Sequence, residues 1–130
     1  MERDIENSIN KVIIYLSDLG ITVDISDKVK ESFCDLYSYK ISIPEYDDME
    51  CILYSLLHEA GHFMVDAEGL DVPEIPDNMD VLINEVLAWD RGDDIAHALK
   101  LNKYFYDESQ YWVYAKNNLF KYTALFNIKI

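Results

Sequence analysis

The segment LLHEAGHFM, residues 56 to 64, holds two of the chain's three histidines, four positions apart, with a glutamate between them. In a helix of about 100° and 1.5 Å per residue, His58 and His62 would lie roughly 40° and 6 Å apart on one face, close enough to converge on one ion. Glu59 would project beside that face, within reach of a water activated by the metal without being a ligand itself. Such a set serves metal-assisted hydrolysis. The plainer reading makes the histidines ordinary members of an amphipathic helix and Glu59 a good helix former, since short motifs arise by chance. Against it stand the scarcity of histidine in the chain and the presence of Gly61. A glycine inside a helix costs about 1 kcal/mol relative to alanine, and the usual compensation is a close approach by another backbone or a substrate.

A hydrolytic zinc site takes three protein ligands and leaves the fourth position to water. Four downstream residues compete for the third place. Asp66 is eight residues from His58, about 12 Å along the helix, too far to share one ion with both histidines. Glu68 stands where metzincin-like enzymes place their third ligand, but Val65 occupies the position at which their chain turns on a glycine. Glu85 follows the proline-interrupted segment 67–77, which lets a later helix fold back, and its neighbours Leu82, Val86 and Trp89 mark the packed side of that helix. A carboxylate on a partly apolar face needs a counter-charge, so Glu85 is the favoured third ligand for Zn2+. His97, twelve residues further and about 18 Å along an unbroken helix, reads as a supporting or surface histidine.

The elements that must position these groups are legible in outline. Ile5, Ile9, Val12, Ile13 and Leu16 recur at helical spacing over 3–18, and Gly20 suits a left-handed cap just past the end. The segments ITVDI (21–25) and SYKISIP (38–44) alternate as strands, the second placing Tyr39, Ile41 and Ile43 on one face until Pro44 closes it. KVKESFCDLY between them suits a short helix or a strand, with the strand favoured. Asp47 and Glu50 form a capping box for a helix over about 48–66, carrying Ile52, Leu53, Leu56, Leu57, Ala60 and Met64. Gly69, Pro73 and Pro76 break the chain, Asp77 or Asn78 caps a third helix through Val81, Leu82, Val86 and Ala88, and Gly92 kinks or ends it. DDIAHALKL and ESQYWVYAKNNLFKYTALF read as two further helices.

With HEAGH followed 23 residues after His62 by Glu85 in NEVLAW, the chain resembles the gluzincins, HExxH metallopeptidases whose third ligand is a glutamate on the next helix. More narrowly it resembles the ImmA/IrrE-like peptidases and similar short phage and prophage proteins, with an initial helix, a small sheet, HExxH and then ExxA, here Glu85 to Ala88. The resemblance implies an α+β, zincin-like minimal domain with a small, mainly antiparallel sheet. It also implies zinc held by His58, His62 and Glu85, Glu59 as general base, and cleavage of a peptide bond in a protein substrate such as a regulatory protein. The strand at 38–43 would be the docking edge for an extended peptide. Two positions depart from the pattern. Many gluzincins carry an aspartate four residues after the ligand glutamate to orient a histidine ring, whereas this chain has Trp89 there and Asp90 next. Asp66 stands where ImmA-like proteins often have histidine. A donor for the developing oxyanion would be His97, Tyr104, Tyr106 or Tyr111.

A chain of 130 residues, half of them apolar, fits one domain over 1–130 with its own core. No stretch reaches the roughly 18 apolar residues of a membrane span, and the charged start MERDIENSIN is unlike a secretory signal, so a soluble, cytoplasmic protein is expected. Cys34 and Cys51 form no CxxC motif and read as small buried hydrophobes rather than a redox pair. The formal charge of −14, from 25 acids against 11 bases, disfavours nucleic acid and anionic membranes as direct partners. It keeps open a second function class, an acidic interaction module (an inhibitor or a DNA mimic) in which zinc is only structural.

Overall fold

The computed structural model describes residues 2–69, 77–101 and 106–126. They form an α+β fold in the order α1 (Glu2–Asp18), β1 (Thr22–Ser26), β2 (Phe33–Asp35), β3 (Lys40–Pro44), α2 (Met49–Ala67), α3 (Asn78–Ala98) and α4 (Glu108–Phe126). In α1, Ile9, Val12 and Leu16 line the buried stripe. The helix closes on Gly20 at φ 81°, whose N–H donates to Ser17 O while Ile21 N–H reaches back to Leu16 O, each at 2.9 Å. That pairing satisfies the last carbonyls of the helix and is cheap only in the left-handed region.

The sheet is mixed, in the order β1-β3-β2, where a mainly antiparallel one was expected. The longer ladder, β1 with β3, is parallel, and the three-residue β2 is antiparallel to β3. The cause lies in the connections. Residues 27–32 can span about 20 Å, enough to step over one vacant strand position of about 10 Å, and the chain then returns to fill the gap with β3. The return is a tight turn in which Asp35 Oδ1 accepts from the N–H groups of Tyr37 (3.0 Å) and Ser38 (3.2 Å). Tyr39, expected on the face of Ile41 and Ile43, instead sits in that turn at φ 52° and is half exposed, its ring against Phe63. Of the ambiguous segment 28–37, Phe33–Asp35 is indeed strand. Cys34 and Val23 flank Ile41 in register, so all three side chains face the same side of the sheet.

Helix α2 is buried on nearly every side, as befits the central element of a small domain. Its cap is Asp48, whose side chain accepts from Glu50 N–H at 3.0 Å, not Asp47 as the sequence pattern suggested. Asp77 and Asp80 form the capping box of α3. That helix passes straight through Gly92 to Ala98, so DDIAHA is its last stretch rather than the start of a new helix. Gly61 and Gly92 are the places where backbones meet. A Cβ on Gly61 would lie 1.8 Å from Ala88 O, and one on Gly92 would lie 2.5 Å from Leu57 O. The small residues thus let α2 and α3 pack at backbone distance, between His58 and His62 on one helix and just past Glu85 on the other. Helix α4 covers the pair, with Tyr111 fully buried and its hydroxyl donating to Trp89 O at 2.5 Å. Pro73 and Pro76 lie outside the described residues. No helix among the described residues is long and apolar enough to cross a membrane.

Candidate metal centre

The two histidines occupy successive turns of α2, with ring centroids 4.8 Å apart. From α3, one oxygen of Glu85 accepts from His58 Nε2 at 2.8 Å and the other lies 3.4 Å from His62 Nε2. Glu59, only 5% exposed, puts Oε2 3.3 Å from His58 Nδ1. Ligand atoms of His58, Glu59 and His62 all lie within 4.8 Å of one another, so the described residues include a group that could hold a metal ion. The helix spacing brings the imidazoles together, and the Gly61 contact brings Glu85 to them. Donors at tetrahedral corners around an ion with bonds of about 2.1 Å stand about 3.4 Å apart, so imidazoles and carboxylate need to shift little to accept one. Two imidazole nitrogens and a carboxylate oxygen are a donor set that suits zinc.

The charges here are strongly coupled. Burial pulls His58 towards the neutral form, but hydrogen bonds to Glu59 and Glu85, with their negative charges, prevail and raise it to about 9. For Glu85, burial favours the protonated form, yet the hydrogen bonds from His58 and His62 hold it down to about 2. Buried acid and base thus act as each other's counter-charge, a role a cation could take over from the protons.

Trp89, at the position where an aspartate would orient a ring by hydrogen bonding, stacks on His58 at 4.0 Å with planes 3° apart. It fixes the imidazole by packing instead. Its Nε1, buried and without a hydrogen-bond partner among the described residues, is an unsatisfied donor on a side chain that lines the cleft. Val86, expected on the packed side, is 41% exposed. Asp90 turns away to Arg91, which also takes both oxygens of Glu68, so neither acid reaches the histidines. Asp66 is exposed. His97 lies apart, pairing with Asp93 and Glu108. Tyr106 donates to Asp93 and Tyr111 to Trp89 O, so neither is directed at the histidines, and Tyr104 lies outside the described residues.

Two residues at the site were missed in the sequence. Tyr122 of α4 lines the cleft with Glu85, and burial, followed by the Glu85 charge, pushes its hydroxyl up to about 12. Cys34 of β2, read as a buried hydrophobe, is half-buried beside Glu59. Burial first, then the charges of Glu59 and Glu85, push its thiol up to about 12. The signal for Tyr122 was present: Tyr114, Asn118 and Tyr122 repeat at four-residue spacing and all line the same cleft. That cleft, about 810 Å³, is open to solvent and has the histidines, Glu59 and Glu85 in its wall. Since β3 is hydrogen-bonded on both sides, it cannot be the docking edge expected at 38–43; the free edge beside the cleft is β2.

No protein-family model, curated protein or solved structure matches this chain. The functional reading therefore rests on the geometry and donor chemistry of the site.

Proposed function

We propose that the protein is a small zinc-dependent peptidase of the gluzincin type, resembling the ImmA/IrrE-like enzymes, with His58, His62 and Glu85 holding the ion and Glu59 as general base. The observation that carries this reading is the convergence of both imidazole Nε2 atoms on the Glu85 carboxylate, with buried Glu59 alongside, in the wall of an open cleft. When bound, zinc would lower the pKa of a water in the cleft and polarise a peptide carbonyl. Glu59 takes the proton from the attacking water and hands it to the leaving amine, a task its place beside the ligands allows. The Tyr122 hydroxyl, kept protonated, donates to the oxygen on which negative charge develops. An extended peptide pairs with the free edge of β2.

The competing reading, an acidic interaction module with structural zinc, has two features in its favour: the charge of −14 and a thiol beside Glu59, a fourth donor that would close the site. One experiment separates them. Tag-free protein loaded with zinc is incubated with unstructured protein substrates, alongside Glu59→Gln loaded to the same stoichiometry. The peptidase reading expects cleavage by the wild type and a loss of about 100-fold or more in the variant. Equal behaviour of the two proteins would leave the interaction module standing.

A further inference from the structure

A second cluster lies at the far end of α3, where the proposed peptidase chemistry does not reach. Asp93 and His97 are one helical turn apart, and Glu108 comes from the first turn of α4. His97 Nε2 is 3.4 Å from Asp93 Oδ1 and 3.3 Å from Glu108 Oε2, and ligand atoms of the three residues fall within 4.8 Å of one another. We infer that Asp93, His97 and Glu108 form a second site for a divalent transition cation of the zinc class.

Four observations bear on this. The two separations from His97 Nε2 match the edge of a tetrahedron about an ion with bonds of about 2.1 Å. Asp93 is only 8% exposed, and among the described residues its one ion-pair partner is His97, which is 59% exposed in its side chain. A carboxylate buried this deeply calls for a counter-charge, and a cation at the cluster would supply it. The hydroxyl of Tyr106 donates to Asp93 Oδ1, the kind of outer hydrogen bond that holds a ligand carboxylate in place. Beside the cluster, a cavity of about 720 Å³ leaves room for water or an exogenous ligand to complete the coordination. The site repeats the plan of the first, two groups at i and i+4 on one helix and a glutamate from the next, but with one imidazole and two carboxylates. Asp93 follows Glu85 by eight residues, about 12 Å along α3, so the two sites share no ligand.

The test compares zinc binding to tag-free, metal-stripped wild type and His97→Ala, by calorimetric titration and by following the imidazole nitrogen resonances. Because His97 is exposed, its replacement should leave folding intact, which a thermal melt checks. The expected result is one zinc equivalent fewer in His97→Ala, His97 resonances that shift on zinc addition, and binding at this site about 10- to 100-fold weaker in Tyr106→Phe. Equal stoichiometry and affinity in wild type and His97→Ala, with His97 resonances unmoved by zinc, would overturn the inference. This difference measurement holds whether or not His58 and His62 bind zinc, so failure of the peptidase reading is seen separately, in the behaviour of Glu59→Gln.

Discussion

The hydroxyl of Tyr122, from α4, and the carboxylate of Glu59, from α2, line the same cleft. Tyr122 stays a donor because burial and Glu85 hold its proton. If it stabilises a developing oxyanion, Tyr122→Phe should reduce kcat about 100-fold while leaving KM and zinc content nearly unchanged. Steady-state kinetics with zinc quantified per chain checks this, and a variant that lost zinc instead would show the hydroxyl acting only through Glu85. Cys34 is the other sensitive reporter. With its thiol raised to about 12 by burial and the charges of Glu59 and Glu85, its alkylation rate in metal-free protein should still be climbing at pH 9, where an ordinary thiol of pKa about 8.5 is levelling off. A plateau near pH 9, followed by mass spectrometry of the labelled peptide, would place the thiol away from those carboxylates.

At the scale of elements, the site depends on how closely α2 and α3 lie. Gly61→Ala would drive a methyl into Ala88 O, where the Cβ would sit at 1.8 Å, and the helices must separate. Such overpacking costs about 3 kcal/mol, and because it moves Glu85 from the histidines, zinc affinity should fall together with the melting temperature. A contrasting change sits at the end of α3, where Lys100 occupies the left-handed region at φ 53° and its N–H caps His97 O. Lys100→Gly relieves that strain and should stabilise the protein by about 0.5–1 kcal/mol in urea unfolding, with the cap intact. The sequence made the local parts of this arrangement readable. His58, Glu59 and His62 are set by helical spacing alone, and Glu85 stood out as a carboxylate on an apolar stripe. What it could not convey was tertiary. Period-two alternation identifies strands but not their neighbours, so the central place of β3 and the parallel ladder were hidden. Cys34 and Tyr122 reach the site only through the register of β2 and the docking of α4, and Gly92 looked like a helix end because nothing local reveals that Leu57 O lies against it.

For the whole molecule, the coupled groups at the centre and the charge of −14 act in the same direction as pH rises. In metal-free protein His58 is raised from 6.5 to about 9, so its contribution to stability is fully present below 6.5 and is lost as pH climbs through about 9. Glu85 is lowered from 4.5 to about 2, so its contribution is present above 4.5 and is lost as pH falls through about 2. The pair therefore favours the folded state most between 4.5 and 6.5. Above that window self-repulsion among the ionised carboxylates adds to the loss rather than offsetting it. Zinc held as proposed would reverse the trend, since its binding would release the His58 proton and so tighten with rising pH, and ligand binding stabilises by RT ln(1 + [L]/Kd). Thermal melts from pH 5 to 9, with chelator and with a fixed excess of zinc, should show the chelated protein losing stability above pH 6.5 and the zinc-induced increment growing over the same range. A chelated melting temperature that rose towards pH 9, or an increment indifferent to pH, would mean that His58 is not the proton that the metal displaces.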